Sequence, residues 1–267
     1  MAAKLSALDV IHYYGFGNET QVTAAQDYYD VKLTQIVLEP SYRLELDRVD
    51  VSVGPVLKYA DTRSSPTLLA EQRPYGSDRF GQVGARLGLA VDRRRLESGR
   101  SRGGRLAVEG SVYPGVWSAT ETFGKVHAEG VTHLAADLPL EPVLALRAGG
   151  ERLFGRYPFH EAASLGGDDN FRGLLRQRYI GDASAYGNAE LRLLVLRRDR
   201  ALVPRVGVFG LADVGRVFLE GESSDVWHTA VGGGLFLSLL DPKNVVSVAL
   251  AGSEGELLFY VHGGFTF

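Results

Sequence analysis

The sequence predicts an all-β protein: a transmembrane antiparallel up-and-down β-barrel of about 12 strands. Three observations carry that expectation. Apolar and polar residues alternate with a period of two along most of the 267 residues. The charges of each alternating segment gather on one face. The connections swing between long polar loops and short turns, as barrel loops do on the two sides of a membrane.

Composition narrows the class. Mean hydropathy is −0.04, and no apolar run approaches the roughly 20 residues that a membrane-spanning helix needs, which excludes a helical membrane protein. A membrane barrel stays open, because its strands alternate lipid-facing and lumen-facing residues and average out as weakly polar. Cysteine is absent, so there is neither a disulfide framework nor a thiolate metal site. A formal net charge of −3 argues against nucleic acid as a partner, which calls for a basic stripe. The first ten residues lack the charged, apolar and small-residue sections of a signal peptide. The expectation is therefore one barrel domain, residues 1–267, forming the C-terminal part of a longer exported protein.

Taken in order, the first segment, residues 5–16, runs into Gly15-Phe16-Gly17-Asn18-Glu19-Thr20, a loop by its Gly and Asn content. In residues 31–46, Ile36, Leu38, Pro40, Tyr42, Leu44 and Leu46 share one parity, and Gln35, Glu39, Ser41, Arg43 and Glu45 the other. A tight turn near Asp47 and Arg48 leads into residues 51–59, with Val51, Val53, Pro55, Leu57 and Tyr59 on the apolar side. Such a run exceeds the roughly 3 to 10 residues of a soluble strand, whereas a tilted strand crossing a bilayer needs about 9 to 11 and can project beyond it.

Residues 82–92, 105–113, 125–134 and 143–151 repeat the pattern. Leu87 and Leu89 oppose Arg86; Leu106 and Val108 oppose Glu109; Val126 and Ala128 oppose Lys125, His127 and Glu129; Leu144 and Leu146 oppose Arg147. After a long polar loop come residues 188–197, 205–216, 227–239, 245–252 and 257–267. No helix of ordinary length and no repeat of solenoid or propeller period is present.

Alternation alone fits two architectures. In a soluble sandwich the polar face lies outside; in a membrane barrel it lines the lumen and the apolar face meets lipid. Aromatic residues near strand ends (Tyr13, Tyr14, Tyr28, Tyr29, Tyr42, Trp117, Phe123, Trp227, Phe259, Phe265, Phe267) favour the barrel, as interfacial girdles would. The loop at residues 93–104 interrupts the scheme, since it falls on the expected short side.

The C-terminus adds a second signal. Leu257, Phe259, Val261, Gly263, Phe265 and Phe267 form one apolar face, opposite Leu258, Tyr260, His262, Gly264 and Thr266, and an exposed apolar edge of this kind is a liability in a soluble sheet. The ending resembles the C-terminal targeting strand of bacterial outer-membrane proteins.

The most distinctive stretch is residues 164–192, a polar Gly-rich loop carrying Phe171-Arg172-Gly173 that leads into a strand with Glu190 and Arg192. It resembles the signature of the BamA/TamA superfamily of outer-membrane barrels, the bacterial surface antigen domain. Its members carry a (V/I/F)-R-G-(Y/F) tip on a loop folded into the lumen. Leu211-Ala212-Asp213-Val214-Gly215-Arg216 is similar to the family's Phe-x-Asp-x-Gly, and Gly264-Phe265-Thr266-Phe267 to its Gly-x-x-Phe finish. Leu174 and Leu211 depart from the family's aromatics, which predicts weaker stacking around Arg172.

The resemblance implies that residues 156–182 fold into the lumen. There Arg172 meets an acidic wall residue, with Phe171, Gly173, Glu190, Arg192, Asp213 and Gly215 completing a lock. It also implies that Tyr260, Gly264, Phe265 and Phe267 belong to the strand recognised by the barrel assembly machinery. The implied setting is the bacterial outer membrane. The implied role is insertion or translocation of client polypeptide through a seam between first and last strands, or service as the barrel of a larger protein. A passive pore, or an anchor for an N-terminal passenger, is the alternative. Strands upstream of the loop are fewer than the family's own, so either some strands are missing from this chain or the barrel is a smaller one, and the even total of about twelve favours the smaller barrel. The Gly15–Thr20 loop resembles members whose barrel follows an N-terminal enzyme domain. The six histidines show no metal spacing and no hydrolase or nucleotide motif occurs, so neither enzymatic activity nor a cofactor is expected of this domain.

Overall fold

The structure, a computed structural model, describes residues 5–6, 9–63, 67–97, 100–196, 205–238 and 244–267. The expected strand ends at Arg197 and Leu239 lie outside these residues, as does the extreme N-terminus.

One antiparallel sheet of 15 strands makes up almost the whole fold. It opens with β1 (Leu5–Ser6) and β2 (Asp9–His12), both paired with β3 (Asp30–Leu38). β3 and β4 (Tyr42–Leu46) share the partner β5 (Val49–Arg63). The path continues through β6 (Arg79–Asp92), β8 (Arg100–Tyr113), β9 (Phe123–Ala135) and β10 (Val143–Phe154), with the short β7 (Arg95–Glu97) beside β8. After a loop holding the two-stranded sheet β11 (Ala163–Leu165) and β12 (Tyr179–Gly181), it resumes as β13 (Ala183–Leu196), β14 (Arg205–Phe218), β15 (His228–Ser238), β16 (Val245–Ser253) and β17 (Glu256–Gly263). β1 and β17 end the path, and no pairing joins them among the described residues.

Three details depart from the sequence reading, each for a local reason. The run 31–46 splits into β3 and β4 because Pro40 has no N–H to give the ladder. The carbonyl of Pro40 leans so far toward Gly54 that a Cβ there would lie 2.0 Å from it. The loop at 93–104 is largely an extension of the β7–β8 hairpin, with Arg95 opposite Arg102. The first segment leaves the sheet after His12, and Tyr13 and Tyr14 become loop core.

Side chains sort by parity. On β14 the odd positions from Gly207 to Val217 are buried, and on β13 the even positions from Ser184 to Leu194. The opposite faces carry bare apolar side chains: Leu87 is 59 % exposed, Leu235 54 % and Phe259 64 %. A belt of this extent exceeds the scattered apolar residues of a soluble surface. The stacked-sheet alternative does not form, since no second large sheet covers either face.

Of the expected girdle, Tyr42, Trp117, Trp227 and Phe259 do face outward; Trp117 stacks on Tyr59. Tyr13, Tyr14 and Tyr29 are instead buried because their loop folds inward, and Phe123 because it opens β9 on the inward parity, stacked on Tyr113. The connections 13–29, 67–78, 114–122, 155–182 and 219–227 gather at one rim. The only α-helix among the described residues, α1 (Leu68–Gln72), lies there. Asn18, fully buried, straps the first of these loops to the β14–β15 connection. Its backbone N–H donates to Glu222 at 2.9 Å, its amide donates to Val226 O at 2.9 Å, and its Oδ1 accepts from Val217 N at 2.9 Å.

Candidate functional site

Arg172 is the largest fully buried side chain. A guanidinium in such a place needs acceptors in fixed positions, since burying an unpaired charge costs several kcal/mol. Its Nη2 and Nε donate to Asp213 Oδ1 at 2.7 Å and Oδ2 at 2.9 Å, and its own backbone N–H donates to Oδ2 at 2.8 Å. Its Nη1 donates to Glu190 at 2.7 Å, and the other oxygen of Glu190 accepts from Arg192 Nε at 2.6 Å. Burial penalises the Arg172 charge, but Asp213 and Glu190 outweigh that and raise its pKa above the ordinary value. The register explains the convergence: Asn188 faces Asp213 across β13 and β14, so Glu190 and Asp213 share the inward face one step apart.

The loop reaches this wall through glycine and asparagine chemistry. Gly166, Gly167 and Gly173 all have positive φ, where L side chains are strained. Asn170 accepts from Gly166 N at 3.0 Å and donates to Ser164 O at 2.8 Å, closing the tip on itself. A Cβ on Gly173 would meet Gly252 backbone at 3.1 Å and Ala230 at 3.2 Å, so only glycine seats the tip. The N–H of Gly173 donates to Tyr260 Oη at 2.7 Å. Phe171 and Leu174 pack with Leu165, Tyr179, Tyr186, Val217 and Ala230. Gly215 belongs to the same fit: a Cβ there would lie 2.5 Å from Leu165.

The C-terminal residues do not continue the outer face of β17. Gly264 takes φ 118°, which reverses the parity and turns the tail inside. Phe265 lies 3.7 Å from Arg192 Cζ and edge-on to Phe209 and Phe236. Phe267 lies 4.7 Å from Arg147, 5.6 Å from Arg172 and 5.9 Å from Arg192. The aromatic shell expected to be thin for want of rings at positions 174 and 211 is thus supplied by the tail.

All seven expected lock residues come together, and Tyr260 joins them through Gly173. Sequence reasoning missed Asn188, Arg147 and the loop's other end. Arg147 donates to Asn188 Oδ1 at 2.8 Å, and Asn188 donates to Asn170 O at 2.9 Å; their inward parity was the available signal. In the turn Phe159–Glu161, buried Glu161 accepts from Lys58 at 2.8 Å and from Gln82 at 2.9 Å. Burial opposes its charge, but Lys58 and Lys125 hold its carboxyl down at about 2. Burial likewise holds the neighbouring His160 imidazole down at about 4.

No family model and no curated protein matches the chain. Its fold is similar to that of BamA from Haemophilus ducreyi lacking POTRA domains 1–3, a crystal structure. The TM-score is 0.65 at 14 % identity, over 90 % of this chain and 56 % of that one. The chain thus spans little more than half the length of that structure. The shared feature is the antiparallel up-and-down sheet, similar in fold to the BamA barrel. At this identity the likeness concerns architecture alone.

Proposed function

We propose that the chain is the transmembrane β-barrel of a bacterial outer-membrane protein, and that it inserts or translocates polypeptide, alone or as the barrel of a larger protein. The observation that carries this reading is the sorting of side chains: an aliphatic belt outside and a buried arginine–carboxylate cluster inside. An apolar band outside and a polar interior is the side-chain arrangement of a membrane barrel, and a continuous exposed apolar belt is a liability in a soluble sheet.

The edge of β17, eight residues long and unpaired among the described residues, supports the finer role. An open sheet edge offers backbone N–H and C=O groups to an incoming strand, and closure of the barrel would place that edge at a seam with β1 and β2. Recognition of the final strand by the barrel assembly machinery belongs to the unfolded chain, because Phe265 and Phe267 are turned inward after folding. A second reading is a passive pore, or a membrane anchor for an N-terminal passenger or enzyme domain; the loop held inside the sheet by Arg172 and Asp213, which fits a resting plug, favours the anchor.

Reconstitution in liposomes tests the two together. Faster insertion of unfolded barrel proteins than into bare liposomes is the expected result. Insertion at the bare-lipid rate contradicts the assembly role and leaves the pore or anchor.

A further inference from the structure

The Arg172 cluster grips only one side of the sheet, β13 and β14. The other limb of the same loop grips the opposite side. Glu161 Oε1 accepts from Lys58 Nζ on β5 at 2.8 Å and from Gln82 on β6 at 2.9 Å. Lys125 on β9 approaches its other oxygen at 3.9 Å and its carbonyl at 3.4 Å. The neighbouring His160 lends no hydrogen bond, for both its ring nitrogens are buried without a partner among the described residues. Its ring sits edge-on to Phe80 and Phe159. The polar hold of this turn on the wall strands is therefore the Glu161 carboxylate, beside the apolar packing of Phe159 with Val31, Leu33 and Ala60.

Next to this contact lies a cavity of about 290 Å³. Glu39, Lys58, Arg86, Glu109, Lys125 and Glu151 line it, all at inward positions. Its charges are cross-paired: Arg86 with Glu39 at 2.9 Å and with Glu109 at 3.5 Å, and Lys125 with Glu151 at 3.0 Å. Walls of mixed sign with few apolar groups stay hydrated and offer a passing ion partners of either charge. Apolar packing holds the loop on both sides, around Phe171 and Leu174 against β13 and β14 and around Phe159 and Ala162 against β3 and β5, while the lining of this cavity is mostly charged.

We propose that Glu161 is a second catch, opposite in charge to Arg172, which seals a conduit for small inorganic ions along the β5–β10 half of the lumen. The loop is then held at both ends, by an arginine among carboxylates on one wall and by a carboxylate among lysines on the other. Release of Glu161 leaves Lys58 and Lys125 short of a shared counter-charge at the mouth of the conduit, so the opened path favours anions more than the closed one. The inference rests on the membrane-barrel reading.

The test is conductance in planar bilayers bathed in potassium chloride, on the full chain refolded in detergent. Glu161→Gln is expected to raise single-channel conductance or open probability several-fold over the unmodified protein, and to shift the reversal potential in a salt gradient toward chloride. Glu161→Lys, facing two lysines, opens it further, and the exchange Lys58→Glu with Glu161→Lys returns it toward the closed level. Wild-type conductance in both single variants, each shown folded by heat-modifiable electrophoretic mobility, overturns the proposal. So does an exchange variant that conducts like Glu161→Lys alone. If Arg172→Ala conducts and the Glu161 variants do not, the second catch fails while the barrel stands. If no variant enters the bilayer and the protein folds without amphiphile, the barrel reading itself fails and the conduit with it.

Discussion

Arg172 and Asp213 are joined by three hydrogen bonds of 2.7, 2.8 and 2.9 Å, two from the guanidinium and one from the arginine's own backbone N–H. One carboxylate thus fixes both the side chain and the turn of main chain that carries it. That dual hold makes a short Phe-Arg-Gly tip a positioned part of the wall.

Loss of Arg172 leaves the Asp213 carboxylate buried without its guanidinium, and loss of Asp213 leaves the buried Arg172 with Glu190 as its one remaining carboxylate partner. Arg172→Ala and Asp213→Asn are each expected to destabilise the folded barrel by about 3–5 kcal/mol, the range for breaking a buried pair. Arg172→Lys is expected to recover little of this, since an ammonium cannot serve Asp213 and Glu190 in fork geometry. Urea unfolding in detergent micelles, followed by tryptophan fluorescence, measures the loss.

The tail predicts a second, smaller effect. Phe267→Ala removes the ring that three arginines share and is expected to cost about 1–2 kcal/mol, a desolvated cation–π contribution. Thr266→Ala, by contrast, is expected to leave stability unchanged, because no interaction of its side chain enters the cluster. The same unfolding titration distinguishes the two.

Acid acts on the loop's other end. His160, neutral in the fold with its pKa held at about 4, is protonated more readily when its turn is released. Docking of the turn therefore weakens as pH falls from about 6.5, the free value, to about 4. Glu161 is held at about 2, so its contribution is complete above the ordinary carboxylate range and is lost between about 4.5 and 2. Proteolysis of the 155–182 loop in detergent is expected to accelerate in these two steps, and His160→Asn to abolish the upper one. A single step unaffected by His160→Asn contradicts the assignment.

The belt can be probed by charge. Leu235→Lys and Leu250→Lys, on the outward faces of β15 and β16 near mid-strand, are each expected to cost about 2–4 kcal/mol near the membrane midplane. Unaltered stability in bilayers contradicts their placement against lipid.

Much of this arrangement was legible in the residues. Period-two alternation placed Glu190, Arg192 and Asp213 on inward faces, and the Gly-rich tip marked the loop. Where chain left the sheet, parity lost its meaning. Tyr13 and Tyr14 read as strand-end girdle because nothing local announces that a strand ends at His12. Phe265 and Phe267 read as outward because the positive φ of Gly264, which turns them in, is a property of the fold and not of a glycine's presence. Glu161 was hidden for a related reason: its partners Lys58, Gln82 and Lys125 are 103, 79 and 36 residues away, and only the rolled sheet brings them together.

The central claim is that aliphatic faces meet lipid and charged faces meet the loop. The chain has no cysteine, so single cysteines introduced along β15 carry a nitroxide without background. Electron paramagnetic resonance in bilayers should find labels at Val231 and Leu235 accessible to oxygen and shielded from a polar nickel reagent, and a label at Ala230 shielded from both. Outward labels accessible to the nickel reagent, on a protein that stays folded in buffer without amphiphile, would contradict it.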